Sequence, residues 1–318
     1  MTLAETYPNI FAHAAHFAEQ YDHYPQGRYA TLFIVRQVQS EAIFRTEGSG
    51  EPLNKEFVYA GQATDSELVQ RIVISKRKQI AVERRTGREL LRRFGLLGPN
   101  GDSCTLNTNA PCGECIDCML YGFAVGGGGA QKSRVVSDDA FSLLSTRDVL
   151  GTRQFNALFE TGTMRDPDDN PSRSIGTDEY VRPGTAFLDM QTLRDTTLEE
   201  FLYVVGNVLR SSRYGAVTSR LGKLSNHLVA VAFSDCELFS NLELTQAVYD
   251  ALAADAEPNF PLQVDTVIAQ TINETEQLVQ TIPGSVTLLH GEAFAPLLDE
   301  IRSFYQNEDD LRAVVTEM

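Results

Sequence analysis

Four of the five cysteines in this 318-residue chain lie within fifteen residues of one another. They stand in the order Cys104-x7-Cys112-x2-Cys115-x2-Cys118. Pro111 and Gly113 flank the second of them, and both residue types favour the tight turns that bring neighbouring thiolates together. This spacing constrains the chain to fold around a common centre of sulfur atoms.

The spacing favours structural zinc and leaves two alternatives open. Cys-x2-Cys-x2-Cys with a fourth cysteine nearby suits tetrahedral zinc, and four thiolates would close the coordination shell, so the zinc would not be catalytic. A bacterial ferredoxin run begins in the same way but continues x3-Cys-Pro, whereas residue 122 here is Gly122. An iron–sulfur cluster and metal-free thiols are the two alternatives. Cys236, outside the cluster, is predicted to be a core residue.

A glycine run, from Gly126 to Arg134, follows the cysteines. A nucleoside-triphosphate loop would require G-x-x-x-x-G-K-[ST], but the residue before Lys132 is Gln131. A flexible linker is one interpretation of the run. We favour a loop whose backbone amides contact phosphates together with Lys132 and Arg134.

A strongly basic segment precedes the cysteines. From Arg71 to Arg93 the chain carries nine basic residues against Glu83 and Glu89 alone. Thr86-Gly87-Arg88-Glu89 has the pattern of a capping box, which predicts a helix that begins at Thr86 after a strand at residues 71–75. Amides, dipole and arginines at such an N-terminus suit phosphate. A solvated charged face is the alternative, and the density of charge favours a polyanion.

The net charge of −16 argues at first against a nucleic-acid partner. The excess of acid, however, is concentrated at one end of the chain. Residues 235–318 carry 16 acidic and 2 basic residues, whereas residues 1–234 carry 27 and 25. One face can therefore bind a polyanion while another is acidic. Adaptation to a salty cytoplasm is another explanation of the acidic surplus.

Length and composition predict a folded cytoplasmic protein. The length suits about two domains, or one domain with large insertions, and 42% hydrophobic residues are typical of a globular core. A run of about 18 apolar residues that could span a membrane is absent from the sequence. The first ten residues lack the basic region of a secretory signal. Clustered cysteines are typical of a reducing compartment.

Strand and helix patterns alternate without a regular βαβ repeat, which predicts an α+β fold. Capping boxes at Thr197 and Ser240 predict two helix starts, and a further helix is predicted at residues 293–305. A polar stretch at residues 161–184 lacks periodicity and is predicted to be a functional loop. Other strands are predicted at residues 28–45, 135–141, 215–219, 228–233, 263–269 and 284–289.

A catalytic constellation is not evident in the sequence. The five histidines have no pattern of cysteine or aspartate partners around them, and an isolated histidine is more often structural than catalytic. Asp138 and Asp139 could bind a divalent cation, but a strand end beside the basic loop is the simpler interpretation. The sequence therefore predicts a protein that is not an enzyme.

The stretch from Cys112 to Ala124, the glycine run and the following stretch from Lys132 to Ser142 resemble a known family. They are similar to the major backbone subunit of type I-D CRISPR interference (Cascade) complexes, in the repeat-associated (RAMP) superfamily. The resemblance covers most of the chain, including residues 210–229. It is least specific in the acidic C-terminal part.

The resemblance implies an RRM-like (ferredoxin-like) palm over residues 1–318. It implies a zinc-knuckle and glycine-loop insertion at residues 95–134, a helical insertion and a thumb-like loop at residues 161–184. Residues 235–318 would form an acidic C-terminal part of the palm. The implied cofactor is one structural Zn²⁺, and its ligands would be Cys104, Cys112, Cys115 and Cys118.

The resemblance also implies a function. Copies of the chain would stack head to tail along a CRISPR RNA (crRNA) and grip its phosphates, while another subunit cuts the target. The implied partners are crRNA, further copies of the chain, the other type I-D subunits and the target DNA strand paired to the guide, with no membrane. The residues implied to contact RNA are Lys76, Arg77, Lys78, Arg84, Arg85, Arg88, Lys132, Arg134, Arg173 and Arg182.

Two other classes of protein stay open. One is an RNA-processing endonuclease of the same superfamily that uses a histidine such as His227. The other is a zinc-ribbon adaptor that binds protein and has only weak, length-independent affinity for RNA.

Overall fold

The computed structural model describes residues 2–45, 52–63, 65–106, 110–127, 129–156, 158–166, 168–171, 175–217 and 220–317. In these ranges the strands are β1 (Tyr29–Val38), β2 (Lys55–Tyr59), β3 (Leu68–Ile74), β4 (Phe123–Val125), β5 (Gly129–Gln131), β6 (Val135–Val136), β7 (Ala140–Phe141), β8 (Leu150–Asn156), β9 (Ile175–Val181), β10 (Ala186–Arg194), β11 (Arg213–Val217), β12 (Arg220–Ser234) and β13 (Val286–His290). The helices are α1 (Leu3–Thr6), α2 (Pro8–Phe11), α3 (Lys76–Phe94), α4 (Ile116–Tyr121), α5 (Thr146–Val149), α6 (Leu198–Arg210), α7 (Asn241–Ala253), α8 (Val264–Val279), α9 (Gly291–Gln306) and α10 (Glu308–Glu317). None of the helices in the described ranges combines the length and the apolar character that crossing a membrane requires.

A six-stranded antiparallel sheet forms the centre of the fold. Its strands lie in the order β11-β12-β1-β10-β6, and β13 pairs with the later part of β12. The middle strand, β1, pairs with β10 along one edge and with β12 along the other. Eight of the ten residues of β1 are buried. A strand that is covered on both faces is a nearly continuous apolar run rather than an alternating one.

Helices cover both faces of this sheet. Leu32 and Ile34 of β1 face a core that includes residues of α3, α6 and α9. Phe33 and Val35 face a second core, which α7 and α8 complete. Successive residues of a strand point to opposite faces, so one strand supplies both cores. The architecture is α+β, as the sequence predicts, with three layers in the order helix, sheet, helix.

A buried network of charged residues joins the sheet to α3. Arg36 of β1 is fully buried and donates to Asp189 of β10 at 2.6 Å and to Glu83 of α3 at 2.8 Å. Lys76, the first residue of α3, also pairs with Asp189. Gln191 of β10 donates to the second carboxylate oxygen of Glu83 at 2.6 Å. Two cations and two carboxylates thus neutralise one another in the interior.

The charges of this network are mutually dependent. Burial alone would favour the neutral carboxyl group of Asp189, but the charges of Lys76 and Arg36 outweigh it and hold its pKa well below the ordinary value. Asp189 is therefore ionised at neutral pH. Removal of one member would leave its partners charged and buried, which costs more than an exposed ion pair contributes.

The basic helix begins ten residues before the predicted start. Its first residue is Lys76 and its N-cap is Ser75, so the cations at positions 76–78 form the first turn of α3. Thr86 lies inside the helix, and its hydroxyl donates to the carbonyl four residues earlier at 3.3 Å. The true N-terminus is capped from outside, since Asp139 accepts a hydrogen bond from the Lys76 amide at 2.8 Å. The simpler interpretation of Asp138 and Asp139 thus fits the structure better than a cation site.

Other predicted elements have mixed outcomes. The helix starts after Thr197 and Ser240 are confirmed, and both residues form complete capping boxes. The strand predicted at residues 263–269 is wrong, because this segment begins α8. Its short alternation hides the helical spacing of its buried residues, Val267, Thr271 and Thr275. Cys236 is half-buried in a connection rather than a core residue.

The polar stretch at residues 161–184 is not a continuous loop. Its later part is β9, which pairs with β8 in an antiparallel hairpin of seven residues on each strand. The polar sequence of β9 lacks the apolar alternation that would have revealed a strand. Arg173 lies outside the described residues. Arg182 is exposed just after β9 and donates to the carbonyl of Asp148 at 3.1 Å.

We expect Asp189→Asn to lower the free energy of unfolding at pH 7 by about 3–5 kcal/mol, because it leaves Arg36 and Lys76 buried with a single carboxylate. The folded pKa of Asp189 is depressed, so its contribution is present above the ordinary carboxyl pKa and disappears at lower pH. The difference between wild type and variant should therefore shrink below about pH 4. Urea unfolding at several pH values measures both effects.

Asp299→Asn is the matched control, since Asp299 forms an exposed pair with Arg302 at 3.1 Å. We expect it to change the free energy of unfolding by less than about 1 kcal/mol. Equal losses in the two variants would contradict the role of the buried network.

Candidate nucleic-acid interface and metal centre

The four clustered cysteines meet at one point beside α3. Their sulfur atoms all lie within 4.8 Å of one another, and three of the four residues are buried. The Cys118 sulfur lies 3.5 Å from that of Cys104 and 3.9 Å from that of Cys112. Zinc–sulfur bonds of about 2.3 Å in a tetrahedron place the sulfurs roughly 3.8 Å apart. The prediction that these cysteines form one cluster able to bind a metal ion is confirmed.

A tight turn points the sulfur atoms towards this centre. The amides of Glu114 and Cys115 donate to the Cys112 sulfur at 3.4 and 3.2 Å. Gly113, inside the turn, has a φ of +74°, which residues other than glycine rarely adopt. Hydrogen bonds from neighbouring thiols, first from Cys115, lower the pKa of Cys118 to about 5. The hydrogen bond with Cys118 raises the pKa of Cys115, and burial raises that of Cys104, so Cys118 is the one of these three that favours the thiolate, the form that binds metal.

Asp117 connects the cysteine cluster to α3. It is fully buried between Cys115 and Cys118, and its Oδ2 accepts from Arg88 Nη1 at 2.7 Å. Arg84 binds both of its oxygens, with Nε–Oδ1 at 2.9 Å and Nη2–Oδ2 at 2.8 Å. Arg88 also donates to the Cys104 carbonyl at 2.7 Å. Partners of this kind orient metal ligands from outside the coordination shell.

Three of the ten residues predicted to contact RNA are buried. Lys76 belongs to the network around Asp189, and Arg88 is held by Asp117. Arg134 pairs with Glu200 and lies 4.8 Å above the ring centroid of Tyr21. Each is less than a tenth exposed. Their charges are paired with carboxylates inside the fold, although Lys76 also lines one cavity beside α3 and Arg134 another, so their contact with RNA stays a prediction.

Four other cations of the basic segment lie on the surface of α3. Arg77 and Arg85 are exposed, whereas Lys78 and Arg84 are half-buried. They line two cavities that flank the helix. The Tyr214 pocket, of about 390 Å³, adjoins Lys78 and Arg85, and the Arg84 cavity, of about 470 Å³, adjoins Arg77, Arg84 and Arg85.

A third cavity extends this surface towards the glycine run. The Lys132 cavity, of about 250 Å³, is lined by Lys132 and shares Ser133 with the Arg84 cavity. The Arg84 cavity in turn shares Ala81 and Arg85 with the Tyr214 pocket. These shared residues make the three cavities neighbours along one surface, here named the α3 groove.

Sequence reasoning missed three further cations of the α3 groove. Arg45 and Arg213 line the Tyr214 pocket, and Arg194 lines the Lys132 cavity. They are distant from the basic segment in sequence. Arg194 ends β10, which pairs with β1, and Arg213 begins β11, which pairs with β12, so the sheet brings both residues to the α3 groove. Local charge density in the sequence does not reveal cations that only the tertiary structure brings together.

The glycine run forms the end of a hairpin between β4 and β5. Gly122, before the hairpin, has a φ of +78°, and an added Cβ would lie 2.5 Å from the Gln131 carbonyl oxygen. Gly128 lies outside the described residues. The run thus connects two strands, unlike the strand-to-helix loop of nucleoside-triphosphate sites.

A sequence model described as Csc2 Crispr matches residues 16–315 of this chain. The chain belongs to the Csc2 family of CRISPR proteins. The resemblance to a CRISPR backbone-subunit family inferred from the sequence is confirmed, and the type I-D assignment stays a prediction. Curated protein sequences give no match to this Csc2-family chain.

One solved structure shares its fold, and two others are similar at lower TM-scores. One described as the crystal structure of Thermofilum pendens Csc2 is 16% identical, with a TM-score of 0.58 over 96% of each chain. A chain of a CRISPR RNA-guided surveillance complex is 11% identical, with a TM-score of 0.49 over 81% of this chain and 87% of its own. A chain of a type IV-B CRISPR complex is 13% identical, with a TM-score of 0.43 over 63% of this chain and 89% of its own.

We expect Cys115→Ser to reduce the metal content of this Csc2-family protein from about one ion per chain to nearly none, because a four-cysteine site loses one ligand. Elemental analysis of the purified protein measures this loss. Cys236→Ser, outside the cluster, should retain the metal. The central sheet has its own cores, so both variants should keep a cooperative unfolding transition, and an unchanged metal content in Cys115→Ser would contradict the site.

Proposed function

We propose that this protein is a non-catalytic backbone subunit of a CRISPR interference complex and that it binds crRNA phosphates along the α3 groove. The observation that carries the proposal is the alignment of three neighbouring cavities with Arg77, Lys78, Arg84, Arg85 and Lys132 on a member of the Csc2 family. Arginine predominates in this set, and its guanidinium suits bidentate and stacked contacts with phosphates.

We propose that the core elements form an RRM-like palm. The succession β1, α3, β6, β10, α6, β12 follows the β-α-β-β-α-β order of a ferredoxin-like fold. Numbered in that succession, the four strands lie in the order 4-1-3-2 within the sheet. The metal cluster then occupies an insertion between α3 and β6, the β8–β9 hairpin a thumb-like insertion before β10, and α7 with α8 a helical insertion after β12.

The covered sheet directs RNA towards the edge of this palm. Single-stranded RNA commonly stacks its bases on the open sheet of an RRM. Here α3 and α6 occupy one face and α7 and α8 the other. The groove beside α3 offers cations instead, and phosphate contacts position a strand without reading its sequence. This suits a subunit that must accept any guide.

The distribution of charge is consistent with this placement. Residues 235–318 carry most of the excess acid; α7 and α8 lie on the other face of the sheet from α3, whereas α9 and α10 pack on the same face as α3. The described residues that line the three cavities include none from these four helices, and the carboxylates among them, Asp22, Asp195 and Glu237, line the Lys132 cavity. A negative protein can thus offer a locally positive surface to a polyanion.

We propose that the four-cysteine cluster holds one structural zinc ion. Four thiolates complete a tetrahedral shell and leave no open position for catalysis. Through Asp117, the cluster braces Arg84, which lines the groove. Zinc would supply fixed geometry at this point, and the chain's own arginines would contact the strand.

We propose a non-enzymatic role because His227, the candidate base of an endonuclease, has a structural environment. It lies on β12 and shares a 2.9 Å hydrogen bond with Ser225. Burial lowers its pKa from the ordinary value. Intact repeat RNA after incubation with the purified protein would support this role, and specific cleavage would restore the endonuclease alternative.

We further propose that copies assemble head to tail on crRNA in a cytoplasmic type I-D complex, where the guide pairs with target DNA. The end of the β8–β9 hairpin carries exposed apolar residues: Leu158, Phe159 and Met164 are 61%, 37% and 52% exposed. Clustered exposed apolar side chains are typical of contact surfaces. A heterologous contact that does not close produces an open helix of subunits.

We expect the double variant Arg77→Gln/Arg85→Gln to weaken binding to single-stranded RNA and to reduce the slope of log affinity against log salt by about 1.4, which corresponds to two lost phosphate contacts. Fluorescence polarisation with a short oligouridylate across a salt series measures the slope. Arg302→Gln changes an exposed arginine of α9 outside the groove and should leave the slope unchanged. A wild-type slope near zero would overturn the phosphate groove.

We expect Phe159→Ser/Met164→Ser to reduce the cooperativity of assembly while leaving affinity for an RNA that holds one copy nearly unchanged. Removal of exposed apolar side chains weakens contacts between copies and spares phosphate contacts. Native mass spectrometry across a series of RNA lengths counts the bound copies, which should rise stepwise for wild type. If only one chain binds per RNA at every length, head-to-tail assembly is wrong, and the zinc-ribbon adaptor becomes the favoured class of protein.

A further inference from the structure

The Tyr214 pocket differs in character from the rest of the α3 groove. Its floor and walls are formed by the buried side chains of Ile43, Phe44, Ile74 and Tyr214, with half-buried Val82 beside them. Two of these side chains are aromatic rings. Such walls exclude water and offer dispersion contacts to a flat apolar group rather than hydrogen bonds to a polar one.

Cations surround this apolar pocket. Arg45, Lys78, Arg85 and Arg213 are its charged lining residues, and the described lining includes no carboxylate. The Lys78 ammonium group is positioned by a 2.6 Å hydrogen bond to the Arg45 carbonyl. Ser75 and Gln79 also line the pocket, and an apolar recess whose charged lining residues are all cations is complementary to a ligand that carries a flat apolar part next to an anion.

The position and size of the pocket restrict the class of ligand that it can hold. Its volume of about 390 Å³ lies within the range of roughly 300–1,000 Å³ that is typical of small-ligand sites. It shares Ala81 and Arg85 with the Arg84 cavity, so it is continuous with the proposed phosphate track. A nucleotide combines a flat base with a phosphate, whereas an aliphatic chain offers no anionic group to the cations of the pocket.

We propose that the Tyr214 pocket is a nucleobase subsite, in which one base of the bound strand inserts against Phe44, Val82 and Tyr214 while its flanking phosphates contact the rim cations. This inference rests on the proposed binding of RNA and adds a contact to the base. The apolar walls contact the flat surface of a base rather than its hydrogen-bonding edges, so all four bases are accepted. The subsite thus adds affinity without adding sequence specificity.

The first experiment compares an RNA oligomer with an abasic ribose-phosphate oligomer of the same length and charge. Phosphate contacts are common to both, so their affinities differ by what the bases contribute. One stacked base is worth enough to make the abasic oligomer at least about fivefold weaker at equal salt concentration. Equal affinities of wild-type protein for the two oligomers would overturn the subsite and leave the phosphate groove intact.

The second experiment fills the pocket. Val82→Phe places a larger side chain in the wall, and it should weaken RNA binding by about the same factor while leaving abasic binding unchanged. Leu96→Phe is the matched control, because Leu96 is half-buried after α3 and lies outside the three cavities. Ala81→Val, a smaller change in the pocket lining, replaces Val82→Phe if that variant does not fold.

The outcomes distinguish failure of the nucleobase subsite from failure of the proposed RNA-binding function. A loss that is confined to base-bearing oligomers and to the pocket variants supports the subsite. Equal losses for RNA and abasic oligomers in Val82→Phe would mean that the variant disturbs the phosphate track, and this result would overturn the assignment of the pocket to a base. Failure of the wild-type protein to bind either oligomer would overturn the proposed function, and with it the subsite.

Discussion

The buried ion pairs between Arg36, Asp189, Glu83 and Lys76 fix the position of α3 on the sheet. Apolar packing alone tolerates small rotations of a helix on a sheet, whereas hydrogen-bonded charges without water accept only one arrangement. Glu83 and Lys76 lie on the face of α3 that meets β1 and β10. The exposed cations Arg77 and Arg85 are thereby held on the outer side of the same helix, where the α3 groove lies.

The buried charged residues of α3 also explain what the sequence could and could not predict. The chemistry of the cysteine cluster was readable, because its ligands are close in sequence and turn geometry is local. The capping boxes at Thr197 and Ser240 were readable for the same reason. The first half of α3 carries a buried stripe of charge, so the usual apolar periodicity was lacking. Its start was therefore misplaced at Thr86.

Some cations of the predicted RNA contacts are paired with carboxylates inside the fold. Arg88 and Arg134 belong to dense basic sequence, yet each is paired inside the fold with a carboxylate that is distant in the chain: Asp117 and Glu200. Arg213 reaches the groove only through the pairing of β11 with β12. Charge density identified α3, whose exposed cations line the α3 groove, because these residues are close in sequence. The division between buried and exposed cations depends on tertiary partners, which sequence spacing does not reveal.

The two-residue strand β6 at one edge of the sheet has a consequence for solubility. A long unpaired strand is a template on which another copy can extend the sheet, and repeated extension leads to aggregation. β6 presents too little backbone at this edge for such pairing. Copies that a polyanion concentrates along its length can then meet through side chains that are specific in geometry. At this edge of the sheet, the shortness of one strand thus disfavours sheet-to-sheet aggregation and leaves ordered assembly to side-chain contacts.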